Sequence, residues 1–117
     1  MSKSSIQKIR RRKEIRSHDV VLKNNVGKVI SIKHPAYIFL QKYDEYIYVT
    51  ITHAKSVKNY TVIKLRKNPN PNDNRDSYYV TEIRSDNINK FGKRKSEWSL
   101  DKEDDLDIRR LYKNKKR

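Results

Sequence analysis

Two histidines and a threonine stand at the ends of two apolar runs in this chain. His34 immediately precedes Pro35 in "KHPAYIFLQ", and Thr52 and His53 close "YIYVTITH". An imidazole, with a reference pKa of about 6.5, can take or give a proton near neutral pH. A threonine hydroxyl can hydrogen-bond a phosphate oxygen, and a nearby guanidinium or ammonium can stabilise charge that develops there. Arg84 and Lys55 are the candidate cations. The chemistry depends on whether the fold brings these side chains together.

The elements that must do so are legible as strands. "AYIFLQ" (36–41) is almost continuously apolar, a pattern suited to burial on both faces. "YIYVTIT" (46–52) is aromatic or β-branched throughout and is the strongest strand signal. Proline is tolerated at the first residue of a strand and biases His34 towards an extended backbone. If the two runs pair as a hairpin through "KYDE", their far ends meet, and His34-Pro35 lies beside Thr52-His53.

Further strands are expected within 20–32, broken at Asn24-Asn25 and Gly27, and at 60–65 and 78–84, with a short closing strand at "EWSL". Two prolines and four asparagines make 66–76 a loop, and 85–95 reads as a turn or one helical turn. Asp101 to Tyr112 reads as a helix, with Ser99 as N-cap, acids in the first turns, cations in the last, and Ile108, Leu111 and Tyr112 on one face. The expected fold is mainly β with a C-terminal helix laid on a small, curved antiparallel sheet or barrel.

Composition narrows the partners. The 117 residues carry 29 Lys and Arg against 14 Asp and Glu, a net charge of +15. Such a charge points to nucleic acid, an anionic membrane or a very acidic protein, and the membrane is the weakest of these because no basic amphipathic helix carries a wide apolar face. There is no cysteine, which excludes disulfides, thiol catalysis and zinc-cysteine sites and fits a cytoplasmic protein. No apolar run is long enough to span a membrane, and no signal core follows the basic N-terminus. The three histidines are scattered, and the acids of Asp101–Asp107 are spaced unlike a calcium loop, so that run reads as helix N-terminal charge. No metal and no cofactor is expected.

Residues 1–18 read as a flexible or marginally helical basic arm whose Arg10, Arg11, Arg12 and Lys13 grip phosphates. Residues 19–113 form the single domain and 114–117 a basic tail. Arg84, Lys55 and Lys90 are further nucleic-acid contacts. The tyrosines of the strands either fill the core or stack on unpaired bases, and a small core favours the first.

The residues "HPAYIFLQ", "VTITH" and "SYYVTEIRSDNINKFG" resemble, over roughly 26–112, the MazF/PemK-type toxins, small ribonucleases on an SH3-like barrel. The resemblance implies a toxin-like endoribonuclease that cleaves single-stranded RNA without metal. By position the catalytic roles fall on His34, where the family usually has arginine, and on Thr52, with His53 as assistant. It also implies a homodimer and a neutralising antitoxin, an acidic protein or an RNA. The alternative is a non-catalytic basic nucleic-acid-binding barrel of a phage or mobile element.

Overall fold

The computed structural model describes residues 9–23, 29–57 and 59–115. Seven antiparallel strands form one curved sheet that does not close into a barrel, and a single helix follows them. The strands are β1 (Ile9–Lys23), β2 (Val29–Lys42), β3 (Glu45–Thr52), β4 (Val62–Lys64), β5 (Tyr78–Val80), β6 (Arg84–Asn87) and β7 (Phe91–Arg94), and the helix is α1 (Lys102–Lys115). The order across the sheet is β4-β5-β3-β2-β1-β7, and β6 pairs with β3.

The apolar runs behave as their patterns require. Ala36 to Phe39 and Tyr46 to Val49 are buried without a break, because both faces of the central hairpin are covered. On one face Tyr37, Phe39, Ile47, Val49 and Ile51 meet Ile15, Leu65, Tyr79 and Ile108 of α1. On the other, Ala36, Ile38, Tyr46 and Tyr48 pack with Ile88 and Phe91. Each fully buried side chain of this size contributes roughly 1.5–3 kcal/mol. The segment that covers the second face runs from β6 on the edge of β3, through a 3-10 turn at Ile88–Lys90, to β7 on the edge of β1.

Two irregularities tie the helix down. The β1–β2 register shifts between Arg11 and Glu14, and the β2–β3 register shifts between Ile38 and Leu40. A bulge takes backbone groups out of the ladder, and Arg109 collects two of them. Its Nη1 donates to the Phe39 carbonyl at 2.8 Å and its Nη2 to the Arg12 carbonyl at 2.7 Å. Its Nε faces both oxygens of Asp105 at 3.0 Å, and the Tyr37 hydroxyl donates to Asp105 Oδ1 at 2.6 Å. Asp104, also buried, accepts from Arg66 Nη1 at 2.7 Å and from the Arg66 amide at 3.0 Å. The acidic run is therefore a docking device, not only solvated helix-end charge.

Other expectations are corrected. Residues 9–18, read as a flexible or helical arm, belong to β1, and Ile15 enters the core. Residues 1–8 of that arm, and the break at Asn24-Asn25 and Gly27, lie outside the described residues. The helix is capped by Asp101, whose Oδ1 accepts from the amides of Glu103 at 2.8 Å and Asp104 at 3.3 Å. Ser99 is not the cap; its amide donates to the Pro69 carbonyl at 3.1 Å. The run 78–84 splits into β5 and the start of β6, 85–95 contributes the rest of β6 and β7, and "EWSL" forms no strand. Tyr37, Tyr46, Tyr48 and Tyr79 are core, whereas Tyr43 and Tyr60 are exposed. No helix among the described residues is long and apolar enough to cross a membrane.

Candidate active site

Pro35 marks where the central hairpin opens. It has no N–H to give to a ladder. β2 stays paired with β1 through Pro35 and His34, but its pairing with β3 begins only at Ala36, opposite Thr50. Two steps further in that register His34 faces Thr52. On the other edge of β3, β5 pairs with Ile51 and Thr52 and β6 with Glu45 to Tyr48, so the ladder is interrupted beside Thr50.

A cavity of about 100 Å³ opens at this interruption, lined among others by His34, Thr50, Thr52, Tyr60, Glu82 and Arg84. Arg84 Nε donates to Glu82 Oε1 at 2.6 Å. Burial opposes the charge on Arg84, but the Glu82 carboxylate outweighs it and raises the guanidinium above its ordinary range. Tyr60 is carried by a tight turn in which its amide donates to the Val57 carbonyl at 3.0 Å. Asn59 takes the left-handed conformation there, with φ of 70°, and asparagine tolerates it better than most residues. The Thr52 hydroxyl oxygen accepts from the Ala54 amide at 3.1 Å, which leaves its hydrogen free to donate.

On its other side His34 stands opposite His18 across the β1–β2 ladder. His18 is buried, stacked 4.5 Å from the ring of Phe91 and tilted against Tyr48. Its Nε2–H donates to Asp86 Oδ2 at 3.0 Å. Burial pushes the Asp86 carboxyl up, but the His18 hydrogen bond, the Asn87 amide and the charges of His18 and Lys90 together leave it below the ordinary carboxylate range. A lowered carboxyl stabilises the fold above the pKa of the unfolded chain and loses that contribution as the pH falls. Asp86→Asn is therefore expected to be less stable than the wild type above about pH 4, with the difference closing on acidification. Urea unfolding at stepped pH measures it, and a difference constant into acid would contradict the pairing.

The third candidate, His53, is absent from this small cavity but lines a neighbouring one together with His34, Pro35 and Thr52. His53 Nδ1–H donates to the Asp76 carbonyl at 3.2 Å, which leaves Nε2 to accept from Arg75 Nη2 at 3.3 Å. Asp73 lies 3.6 Å from that nitrogen, and its hydrogen bonds from Arg75 hold its carboxyl far below the usual range. With both ring nitrogens engaged, His53 fastens the 66–77 loop to the end of β3. Lys55 is exposed on the turn after it, and Lys90 is exposed at the end of the 3-10 turn.

Of the basic residues of β1, Arg10, Arg11 and Lys13 are exposed. Arg12 instead hydrogen-bonds Gln41 and lies 5.9 Å from the Tyr46 ring centre. Among the described residues no group of three or more His, Asp and Glu side chains is placed to hold a metal ion.

Glu82 carries no signal that singles it out in the sequence, and Tyr60 is legible only as one of the tyrosines that fill the core or stack on bases. Glu82 sits in "YYVTEIR", which reads as an uninterrupted strand, and only the break between β5 and β6 turns it to the cavity. Comparisons of the chain with protein-family models, curated proteins and solved structures return no match.

Proposed function

We propose that this cavity cleaves single-stranded RNA without a metal, as the resemblance to the MazF/PemK-type toxins implies. The observation that carries the reading is a carboxylate, an imidazole, a guanidinium and hydroxyls converging on one small cavity of a strongly basic protein. Glu82 takes the proton from a ribose 2′-hydroxyl, and the 2′-oxygen attacks the adjoining phosphorus. The P–O5′ bond breaks, and His34, protonated, gives its proton to the departing 5′-oxygen. The products are a 2′,3′-cyclic phosphate and a 5′-hydroxyl. Arg84 and the Thr52 hydroxyl stabilise the charge that builds on the non-bridging oxygens. Histidine thus fills, as acid, the position where the family usually has arginine. The same reading makes the protein a cytoplasmic toxin, neutralised by an acidic protein or an RNA and paired as a homodimer.

End-labelled single-stranded RNA incubated with the protein in EDTA tests this. Cleavage is expected, with cyclic-phosphate and 5′-hydroxyl ends, and a single 2′-deoxy substitution should block it at that position. RNA bound tightly but left intact would favour the non-catalytic binding protein instead.

The exposed cations of β1 fit an unspecific phosphate contact. Because Ile15 is in the core, removing the N-terminal residues would damage the fold, so point substitutions are the cleaner probe. Replacing Arg10, Arg11 and Lys13 together with alanine should flatten the log–log salt dependence of RNA binding by about 2, at roughly 0.7 per phosphate on a single strand. The loss should be alike for all sequences. An unchanged slope would remove these residues from the interface.

A further inference from the structure

A larger cavity adjoins the first and shares His34 and Thr52 with it. Its volume is about 350 Å³, inside the range of roughly 300–1,000 Å³ that small-molecule sites occupy. Pro35, Ile51, Ala54 and Trp98 give it apolar walls, and Lys33 stands exposed beside it. Two polar side chains from the 66–77 loop complete it, and they differ in one respect. Asn68 is fully engaged: its Nδ2 donates to the Arg75 carbonyl at 3.0 Å and its Oδ1 accepts from the Asn70 amide at 2.9 Å. Ser77 is only 1% exposed, and its Oγ has no hydrogen-bond partner among the described residues.

A buried hydroxyl without a partner costs free energy, about 1–3 kcal/mol by the usual reckoning, and calls for an explanation. Here it stands in the wall of a cavity that also carries an indole. Lys95 Nζ already lies 4.8 Å from the centre of that ring. A site with apolar walls, an aromatic ring and a few hydrogen-bonding side chains, Ser77 the buried one without a partner, fits a flat heterocycle with polar edges. We infer that this cavity binds the nucleobase next to the scissile phosphate, packed against Trp98, with the buried Ser77 hydroxyl turning about its Cα–Cβ bond to hydrogen-bond one edge atom. The shared wall of His34 and Thr52 then places the sugar and phosphate of the same nucleotide at the smaller cavity. A hydroxyl both donates and accepts, so each of the four bases offers it a partner. One such contact supports shallow discrimination, about tenfold between bases. The inference rests on the cleavage reading for its substrate, but its test needs no cleavage.

Trp98 is the only tryptophan in the chain, so its fluorescence reports on this cavity alone. The probes are AMP, GMP, CMP and UMP, titrated into the full-length protein in EDTA, with ribose 5-phosphate as the phosphate-only control. A saturable change is expected with nucleotides and not with ribose 5-phosphate. Ser77→Ala should weaken the best nucleotide about tenfold. The wild-type comparison of nucleotide with sugar phosphate stands even if Ser77→Ala folds poorly. An equal response to ribose 5-phosphate, no saturation with any nucleotide, or an unchanged affinity in folded Ser77→Ala would each overturn the base site. Nucleotide binding by a protein inert towards RNA would leave this inference standing and remove the nuclease. Cleavage without nucleotide binding would do the reverse.

Discussion

His34→Ala is expected to slow RNA cleavage by about 10²–10⁴-fold at saturating RNA, the usual contribution of a positioned acid or base. Binding should change little, because phosphate contacts come mainly from the many lysines and arginines. His34 is half-buried at the rim of the cavity, so its loss removes a proton donor without opening the core. Imidazole added to the buffer is the discriminating control, since it can restore a missing acid but cannot repair a damaged fold. A variant that keeps most of its activity, or one whose lost activity tracks lost thermal stability and ignores imidazole, would take the acid role from His34.

Arg109→Ala is the substitution expected to cost the fold most. It strands the Asp105 carboxylate, which is buried against Tyr37, and it leaves the carbonyls of Phe39 and Arg12 without their donor. Removing one partner of a buried ion pair typically destabilises by about 3–5 kcal/mol. Arg109→Lys keeps the charge but not the planar fork that reaches three acceptors, so it should fall between wild type and alanine. Urea unfolding of the three proteins gives the order directly. A loss below about 1 kcal/mol for Arg109→Ala, the scale of an exposed pair, would mean that the helix is held by Ile108 and its apolar neighbours alone. Tyr37 belongs to the same cluster. Burial, and then the Asp105 carboxylate, keep its hydroxyl neutral beyond the ordinary tyrosine range. That contribution is complete below about pH 10 and fades as the pH rises past it.

What the sequence revealed follows from the range of its signals. The hairpin of "AYIFLQ" and "YIYVTIT" was legible because burial on both faces leaves an apolar run with no polar gaps. The register of such a hairpin alone puts His34 near Thr52. The first part of β1 was not legible. Ile15 is the one apolar side chain that residues 9–18 bury, set among arginines and lysines and beside the polar Glu14 and His18, and such a strand looks like a charged tail. The acids of α1 misled for a related reason: Asp104 and Asp105 carry the charge signature of a helix start, and only the distant partners Arg66 and Arg109 show that they are buried. Glu82 depended on where β5 ends and β6 begins, which is set by the competing claims of both on one edge of β3 and leaves no local mark. His53 looked equivalent to His34 from its place at a strand end, but the loop carrying Asp73, Arg75 and Asp76 claims its ring.

The pH dependence of single-turnover cleavage, compared between wild type, Glu82→Gln and His34→Ala, tests the central claim most directly. A base must be deprotonated, so the rate rises with pH through its titration; an acid must be protonated, so the rate falls through its own. The wild type should give a bell. Glu82→Gln should lose the rising acid limb and keep the falling one, and His34→Ala should keep the rise and lose the fall. A bell that survives unchanged in either variant, or a wild-type rate that is flat with pH, would contradict the assignment of base and acid to these two residues.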